Sequence, residues 1–180
     1  MGLAAPDAAR LARFEQTVLP HLNAAYNLAR WLVRNDHDAQ DVVQEAYLRA
    51  FRFFDGFHGG DGRGWLLAIV RNTSRTWMRQ VSRSDMAAGF DEDLHSRHCS
   101  APGPEADMIR QAGIESVRQC IEELPGEYKE TLVLREMEEM SYKEIAEATS
   151  VPVGTVMSRL ARARARVQNC LSLRAKGARV

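Results

Sequence analysis

The segment from Ser141 to Gln168, SYKEIAEATSVPVGTVMSRLARARARVQ, allows few folds. Ser141 and Glu144 form an S-x-x-E capping box, in which the hydroxyl caps the first helical turn and the carboxylate reaches back to the cap. A helix over 142–148 follows, with Ile145 and Ala146 facing inward. Thr149-Ser150-Val151-Pro152 breaks it, and Pro152, which has no amide N–H, suits the first turn of a second helix. In that second helix Val153, Val156, Leu160, Ala163 and Val167 recur at spacings of three and four, which makes one apolar face. Thr155, Ser158, Arg159, Arg162 and Arg166 fall on the opposite face. From Gly154 to the C-terminus there are seven Lys/Arg and no acid. Two short helices joined by a tight turn, the second carrying a Ser/Thr/Arg stripe, fit a helix-turn-helix. Arginine there can pair with phosphate or guanine, and Ser and Thr can reach base edges. The alternative is an ordinary helical hairpin with a solvated basic face.

The remainder of the chain is also helical in pattern. Residues 1–12 read as a loose lead-in. Phe14, Val18, Leu22, Ala25, Leu28, Ala29 and Leu32 mark a helical region to about Arg34, which Pro20 either kinks or divides. Asn35 to Asp38 is a turn with a good N-cap. A helix over 39–53 follows, with Val42, Val43, Ala46, either Leu48 or Ala50, and Phe53 toward a core, and Asp41, Gln44, Glu45, Leu48 and Arg52 mostly on another side. The stretch 55–64, DGFHGGDGRG, is a glycine-rich loop. It lacks the Gly-Lys-Ser/Thr ending of a phosphate-binding loop.

A helix over 65–81 places Leu66, Ile69, Val70, Thr73 and Trp77 inward and Arg71, Asn72, Arg75 and Arg79 on a polar, basic surface. Aromatics interleaved with Arg suit single-stranded nucleic acid, where rings stack on bases and guanidinium groups hold the backbone. Core packing is the competing role for Trp65 and Trp77. Two further helices lead into the helix-turn-helix, one from Met108 to about Leu124 with Ile109, Ala112, Val117, Cys120, Ile121 and Leu124 on its apolar face, and one over 127–138 with Tyr128, Leu132, Leu134 and Met137 toward a core. No strand pattern or internal repeat is evident.

Net charge is zero over 180 residues, but the charges are in blocks. Five Arg and no acid occupy 62–84, whereas six acids and one Arg occupy 85–107. That acidic stretch, with Gly89 and the sequence APGPEAD at 101–107, reads as a flexible linker. The expected organisation is therefore all-α, with helical domains at 1–82 and 108–180 joined by a linker over 83–107. His95, His98 and Cys99 form an incomplete ligand set, so neither a metal nor another cofactor is expected. Three cysteines at wide spacing suggest no disulfide framework, a buried inert thiol at Cys120 and a reducing compartment. The N-terminus lacks a signal-peptide core, and no run approaches the ~20 apolar residues of a membrane span.

Several segments, in order, resemble the extracytoplasmic-function (ECF) group of bacterial RNA polymerase sigma factors. DAQDVVQEAYLRAF at 38–51 resembles the region 2 helix that binds core polymerase. WLLAIVRNT at 65–73 resembles the helix that melts and reads the −10 element. ELPGEYKETLVLR at 123–135 and the segment at 141–164 resemble region 4, which reads the −35 element. The resemblance covers about residues 14–168.

It implies a cytoplasmic, non-enzymatic protein with two all-α domains, sigma region 2 and sigma region 4. Such a protein binds core RNA polymerase and promoter DNA and is controlled by an anti-sigma factor, with no membrane insertion of its own and no fused sensory domain. Asp41, Gln44, Glu45 and Leu48 match the polymerase-docking positions. Asn72 is the expected base contact at −10, beside a glycine-rich loop that takes up a flipped base, with Arg71, Arg75 and Arg79 on the backbone. The family's base-reading positions fall at Met157, Ser158, Ala161 and Arg162, and Thr155, Arg159 and Arg166 of the polar face complete the expected −35 set. Met157 stands where many relatives carry Lys or Arg, and Thr76 where many carry Asp. A stand-alone helix-turn-helix regulator is the alternative. A sigma mimic is disfavoured by the intact Arg-rich helix, and an enzyme by the scattered histidines.

Overall fold

The structure is a computed structural model that describes residues 5–88 and 105–177, with side-chain surroundings for 8–83 and 111–176. Eight α-helices and no strand occur among the described residues: α1 (Ala5–Val18), α2 (Leu22–Val33), α3 (Asp36–Phe53), α4 (Gly62–Ala88), α5 (Glu105–Glu122), α6 (Gly126–Glu136), α7 (Tyr142–Thr149) and α8 (Val153–Gly177). The chain divides into two compact units, Met1–Leu94 and His95–Val180. The central part of the acidic stretch, including the His95/His98/Cys99 cluster, lies outside the described residues.

In the first unit α4 packs on α2 and α3, which also pack on each other, and α1 lies against α4. Pro20 divides rather than kinks the first helical region. A 3-10 turn, Leu19–His21, separates α1 from α2. The expected loose lead-in is helical from Ala5. Two links from Arg10 anchor α1 to the end of α3: an ion pair to Asp55 at 2.8 Å and a hydrogen bond donated to the Phe51 carbonyl at 2.7 Å.

Arg34, in the left-handed conformation, ends α2, and the Asn35 side chain then caps α3 by accepting from the amides of His37 and Asp38. Tyr47 donates to the Val18 carbonyl at 3.1 Å. Burial raises its phenol to about 12, so the neutral donor form persists through the ordinary pH range. Phe53 points outward at 61% exposed, and its neighbour Phe54 is the buried ring. The sequence expectation was therefore one residue out of phase at this helix end, where the 3-10 turn Phe54–Gly56 changes the helical phase.

In the second unit α5, α6 and α7 all pack on α8. Cys120, Ile121, Leu124, Leu132, Val133, Leu134, Ile145, Val156, Leu160 and Ala163 form its core. Val117 and Met137, expected inward, are 39% and 44% exposed.

The capping box forms as the sequence pattern requires. The Glu144 amide donates to Ser141 Oγ at 3.2 Å, and the Ser141 amide donates to Glu144 Oε2 at 2.6 Å. Ser141→Ala should cost about 1 kcal/mol of second-unit stability, because a first-turn amide loses its acceptor. Thermal unfolding followed by circular dichroism measures this.

Cys120 and Cys170 are joined by a disulfide, 50 residues apart in sequence. This corrects the expectation of an inert Cys120 thiol. The packing of α5 on α8 brings the two Cα atoms to 5.8 Å, an approach that spacing along the chain does not reveal.

Candidate nucleic-acid interface

In the second unit the turn before α8 sets the helix direction. Ser150 takes the left-handed conformation at φ 54°, and its amide closes the end of α7 on the carbonyls of Ala146 and Glu147. The Pro152 carbonyl then accepts from the amides of Thr155 and Val156, starting α8. Val156, Leu160 and Ala163 are buried, which turns Met157, Ser158, Ala161 and Arg162 to solvent. Thr155 is half-buried, less open than its expected place on the polar face.

The Arg residues of α8 fall into two groups. Arg159 pairs with Glu127 of α6 at 2.7 Å, and Arg164 pairs with Glu136 of α6 at 2.6 Å. The hydrogen bond to Glu136 holds the Arg164 pKa above its ordinary value, so it stays charged. Arg166 lies over the Tyr128 ring at 5.4 Å, and Arg174 pairs with Glu123, in the turn just after α5, at 2.6 Å. Arg162 is exposed and makes no ion pair or ring contact among the described residues. Of the expected −35 set, Met157, Ser158 and Arg162 share the open face, and Arg159 and Arg166 brace α8 against α6. Periodicity could not separate these roles, because the acids that claim Arg159 and Arg164 lie on another helix.

In the first unit α4 carries the second basic surface. Arg75 and Arg79 are exposed and line a cleft of about 410 Å³ with Met78, Ser82 and Arg83. Asn72 is exposed, and its Oδ1 accepts from Arg71 Nη1 at 3.1 Å. Arg71 is 5% exposed, so it does not stand on the open polar surface where the sequence pattern placed it. Leu67 and Ser74 stand four residues before it and three after it, on the same helix side, and both are buried on the face that α4 turns to its neighbours.

The glycine-rich loop leads into α4. Gly59 and Gly60 have φ of 95° and 99°, a conformation that a Cβ would strain. At Gly62 a Cβ would come within 2.7 Å of the Thr17 Cγ2 and 2.8 Å of its carbonyl oxygen, so only glycine lets α4 start against α1. Asp61 caps α4 by accepting from the amides of Arg63 and Gly64. Phe57 stacks on the buried Phe54 and contacts Trp65 at 5.0 Å between ring centroids. Trp65 is therefore a support for the loop. Beside it opens a cleft of about 530 Å³ lined by Arg13, Thr17, Asp55, Phe57, His58, Gly59 and Gly60. The sequence reading did not include Arg13 or Thr17, because α1 lies about forty residues from the loop it borders.

On α3, Asp41, Gln44, Glu45 and Leu48 stand at i, i+3, i+4 and i+7, and none is buried. Asp41 lies 3.4 Å from His37, and Glu45 pairs with Arg49 at 2.7 Å. Leu48, 57% exposed, is an apolar centre within this polar strip. Among the described residues no group of three or more His, Cys, Asp or Glu is placed to hold a metal, and no helix is long and apolar enough to cross a membrane.

Comparison with known proteins agrees with this arrangement. The family model described as Sigma-70 region 2 matches residues 17–84, and that described as Sigma-70, region 4 matches 114–167. The chain is 34% identical over 165 residues to the RNA polymerase sigma-H factor of Pseudomonas aeruginosa, covering 88% of this chain and 86% of that protein. It is 36% identical over 139 residues to the ECF RNA polymerase sigma-E factor of Escherichia coli K12, covering 73% of each. To the ECF RNA polymerase sigma factor SigE of Mycolicibacterium smegmatis it is 31% identical over 92% of this chain, and it spans 64% of that longer relative.

Among solved structures, the sigma factor RpoE in complex with the anti-sigma factor NepR from Bartonella quintana superposes with a TM-score of 0.72 at 26% identity, covering 89% of this chain and 97% of that one. CnrH in complex with the cytosolic domain of CnrY gives 0.62 at 25% identity, covering 89% and 88%. With both sigma regions matched in order along one chain, and a basic helix of each unit open to solvent, the protein belongs to the sigma-70 family of RNA polymerase sigma factors, in the extracytoplasmic-function group.

Proposed function

We propose that the protein binds core RNA polymerase through α3 and directs it to promoters by two DNA contacts. The observation that carries the −35 contact is the open Met157/Ser158/Ala161/Arg162 face of α8, whose one unengaged arginine is free to meet a base or phosphate. α8 enters the major groove of the −35 duplex. In the first unit, the Asn72/Arg75/Arg79 face and the cleft beside Gly59–Gly60 receive separated −10 bases. Extruding a base costs a few kcal/mol of stacking, which a pocket must return. Core polymerase holds both units on one DNA, so each contact acts at high effective concentration and neither needs to be tight alone. Residues 1–82 and 108–180 are the two working domains, and 83–107 tether them.

An anti-sigma factor controls the protein, a reading supported by the NepR and CnrY partners named for its structural relatives. It works in the cytoplasm, where polymerase and promoters are. It has no catalytic centre of its own, and its chemistry is recognition.

Run-off transcription with purified core polymerase on a randomised promoter library tests the reading. Two enriched sequence blocks at a fixed spacing are expected, and transcripts no different from core polymerase alone would refute it. Leu48→Ala should weaken core polymerase binding by about 1 kcal/mol, roughly fivefold, through lost apolar burial. Titration of labelled protein with polymerase measures this, and the fold should be unaffected because Leu48 is exposed.

A further inference from the structure

The promoter-reading surfaces leave one chemical feature of the second unit unused, the Cys120–Cys170 pair. Its two sulfurs differ in access. Cys120, near the end of α5, is 1% exposed. Cys170 is half-buried on α8, and both border a cleft of about 400 Å³ lined also by Glu123, Leu124, Arg166 and Arg174. Of the two guanidinium groups at this cleft, Arg174 is paired with Glu123, whose carboxylate lies 3.5 Å from Cys170 Sγ, so Arg166 is the cation that favours an approaching thiolate, which reaches Cys170 first.

The position of the pair decides what closing it does. The N-terminal half of α8 is fixed by the buried Val156, Leu160 and Ala163 and by the Arg159–Glu127 and Arg164–Glu136 pairs. From Arg164 to Lys176 no residue is buried; Val167, Cys170, Leu171 and Arg174 are only half-buried. Beyond the Arg164–Glu136 pair at its start and Arg166 on the Tyr128 ring, the stretch is tied by Arg174 to Glu123 and Gln119, with Glu123 largely exposed, and such pairs stabilise little. The covalent bond is thus the strongest single link between the C-terminal turns of α8 and α5, which otherwise meet through half-buried side chains.

We infer that Cys120–Cys170 is a reversible thiol–disulfide site, reduced by a dithiol entering at Cys170, and that its closure clamps the C-terminal turns of α8 onto α5. In the reducing direction a thiolate of the dithiol attacks Cys170 Sγ. The Sγ–Sγ bond breaks, and Cys120 leaves as a thiolate that takes a proton from solvent. The second thiol of the reductant then attacks the reductant's own sulfur, releasing Cys170. Two electrons and two protons pass to the protein, and the reductant becomes a disulfide. The base-reading residues 157–162 lie on the part of α8 held by α6 and α7, so the switch loosens α5 and the tail of α8 while the reading face keeps its form.

The test uses the full chain carrying Cys99→Ser, so that only this pair is counted. After diamide treatment, iodoacetamide labelling in urea, read by intact mass, should give no adducts. After reduction by dithiothreitol without denaturant, followed by labelling in urea, it should give two, and reoxidation should return the count to zero. Cys170→Ser should leave Cys120 unlabelled until urea is added. The oxidised form should unfold roughly 10 °C above the reduced form, as expected for a bond closing a long loop in a small domain, and resist trypsin after Arg174 and Lys176. A Cys120→Ala/Cys170→Ala variant should show neither redox difference. Two adducts after diamide, or reduction only in denaturant, would overturn the site. Equal melting and trypsin resistance in both redox forms would overturn the clamp. Labelling requires no promoter or polymerase, so these outcomes stand apart from the transcription assay.

Discussion

Phe54→Ala should destabilise the first unit by about 3–5 kcal/mol, the range for removing a fully buried aromatic ring. Phe54 is 0% exposed. Its ring meets Phe14 edge-on at 5.2 Å, stacks on Phe57 at 5.9 Å and contacts Trp65 at 6.2 Å, while Arg13 lies 4.8 Å over its face. These partners come from α1, the glycine-rich loop and α4, so no single neighbour can close the cavity. A small domain is stable by only about 5–15 kcal/mol, so the substitution removes a large share. The chain's three tryptophans, Trp31, Trp65 and Trp77, all lie in the first unit, so urea unfolding followed by tryptophan fluorescence reads that unit alone. Phe54→Leu, which refills most of the volume, should cost clearly less. Equal losses for the two would mean that the ring cluster is not what supports the loop. Because Phe57 rests on Phe54, Phe54→Ala should also impair −10 capture at temperatures where the unit is still folded.

Arg162→Ala should weaken −35 binding by about 1–3 kcal/mol, roughly 5- to 150-fold, if the guanidinium pairs with a base edge. The neighbouring arginines supply the control. Arg159 is already engaged by Glu127, so Arg159→Ala removes a partly exposed brace and should cost under about 1 kcal/mol of stability. Binding of the variants to −35 duplexes at several salt concentrations separates the roles. A base contact at Arg162 changes sequence preference, whereas a phosphate contact lowers affinity on every sequence and reduces the salt slope. Unchanged affinity for Arg162→Ala would remove it from the interface. Met157, 54% exposed beside Arg162, offers an apolar surface, so Met157→Arg should add a phosphate or guanine contact and shift the −35 preference.

Much of the fold was legible because local signals agreed. Ser141 and Glu144 announced α7, Asn35 announced α3, and the three-and-four stripe of Val156, Leu160 and Ala163 set the phase of α8. The order of motifs carried the family. Legibility failed at three kinds of place. At Phe53 and Phe54 a 3-10 turn altered the phase at a helix end, where a periodic pattern has least leverage. At Val117 and Met137 the apolar side chains are 39% and 44% exposed, because periodicity gives a helix face but not how far the neighbouring helix covers it. At Arg13 and Thr17 the loop's lining came from a helix distant in sequence.

The sequence alone determined the all-α class, the helix-turn-helix with its capped entry, the basic character of α4 and α8 and the membership in the sigma-70 family. All of these depend on residue type and spacing within single segments. Only tertiary packing decided which arginines remain available and which cysteines pair. Glu127 and Glu136 on α6 claim Arg159 and Arg164 on α8, the face that α4 turns inward buries Arg71, and α5 against α8 joins Cys120 to Cys170. A helical period gives the direction of a side chain on its own helix. What stands opposite depends on the approach of a second helix, and charge pairing and disulfide bonding act over a few ångströms across that gap.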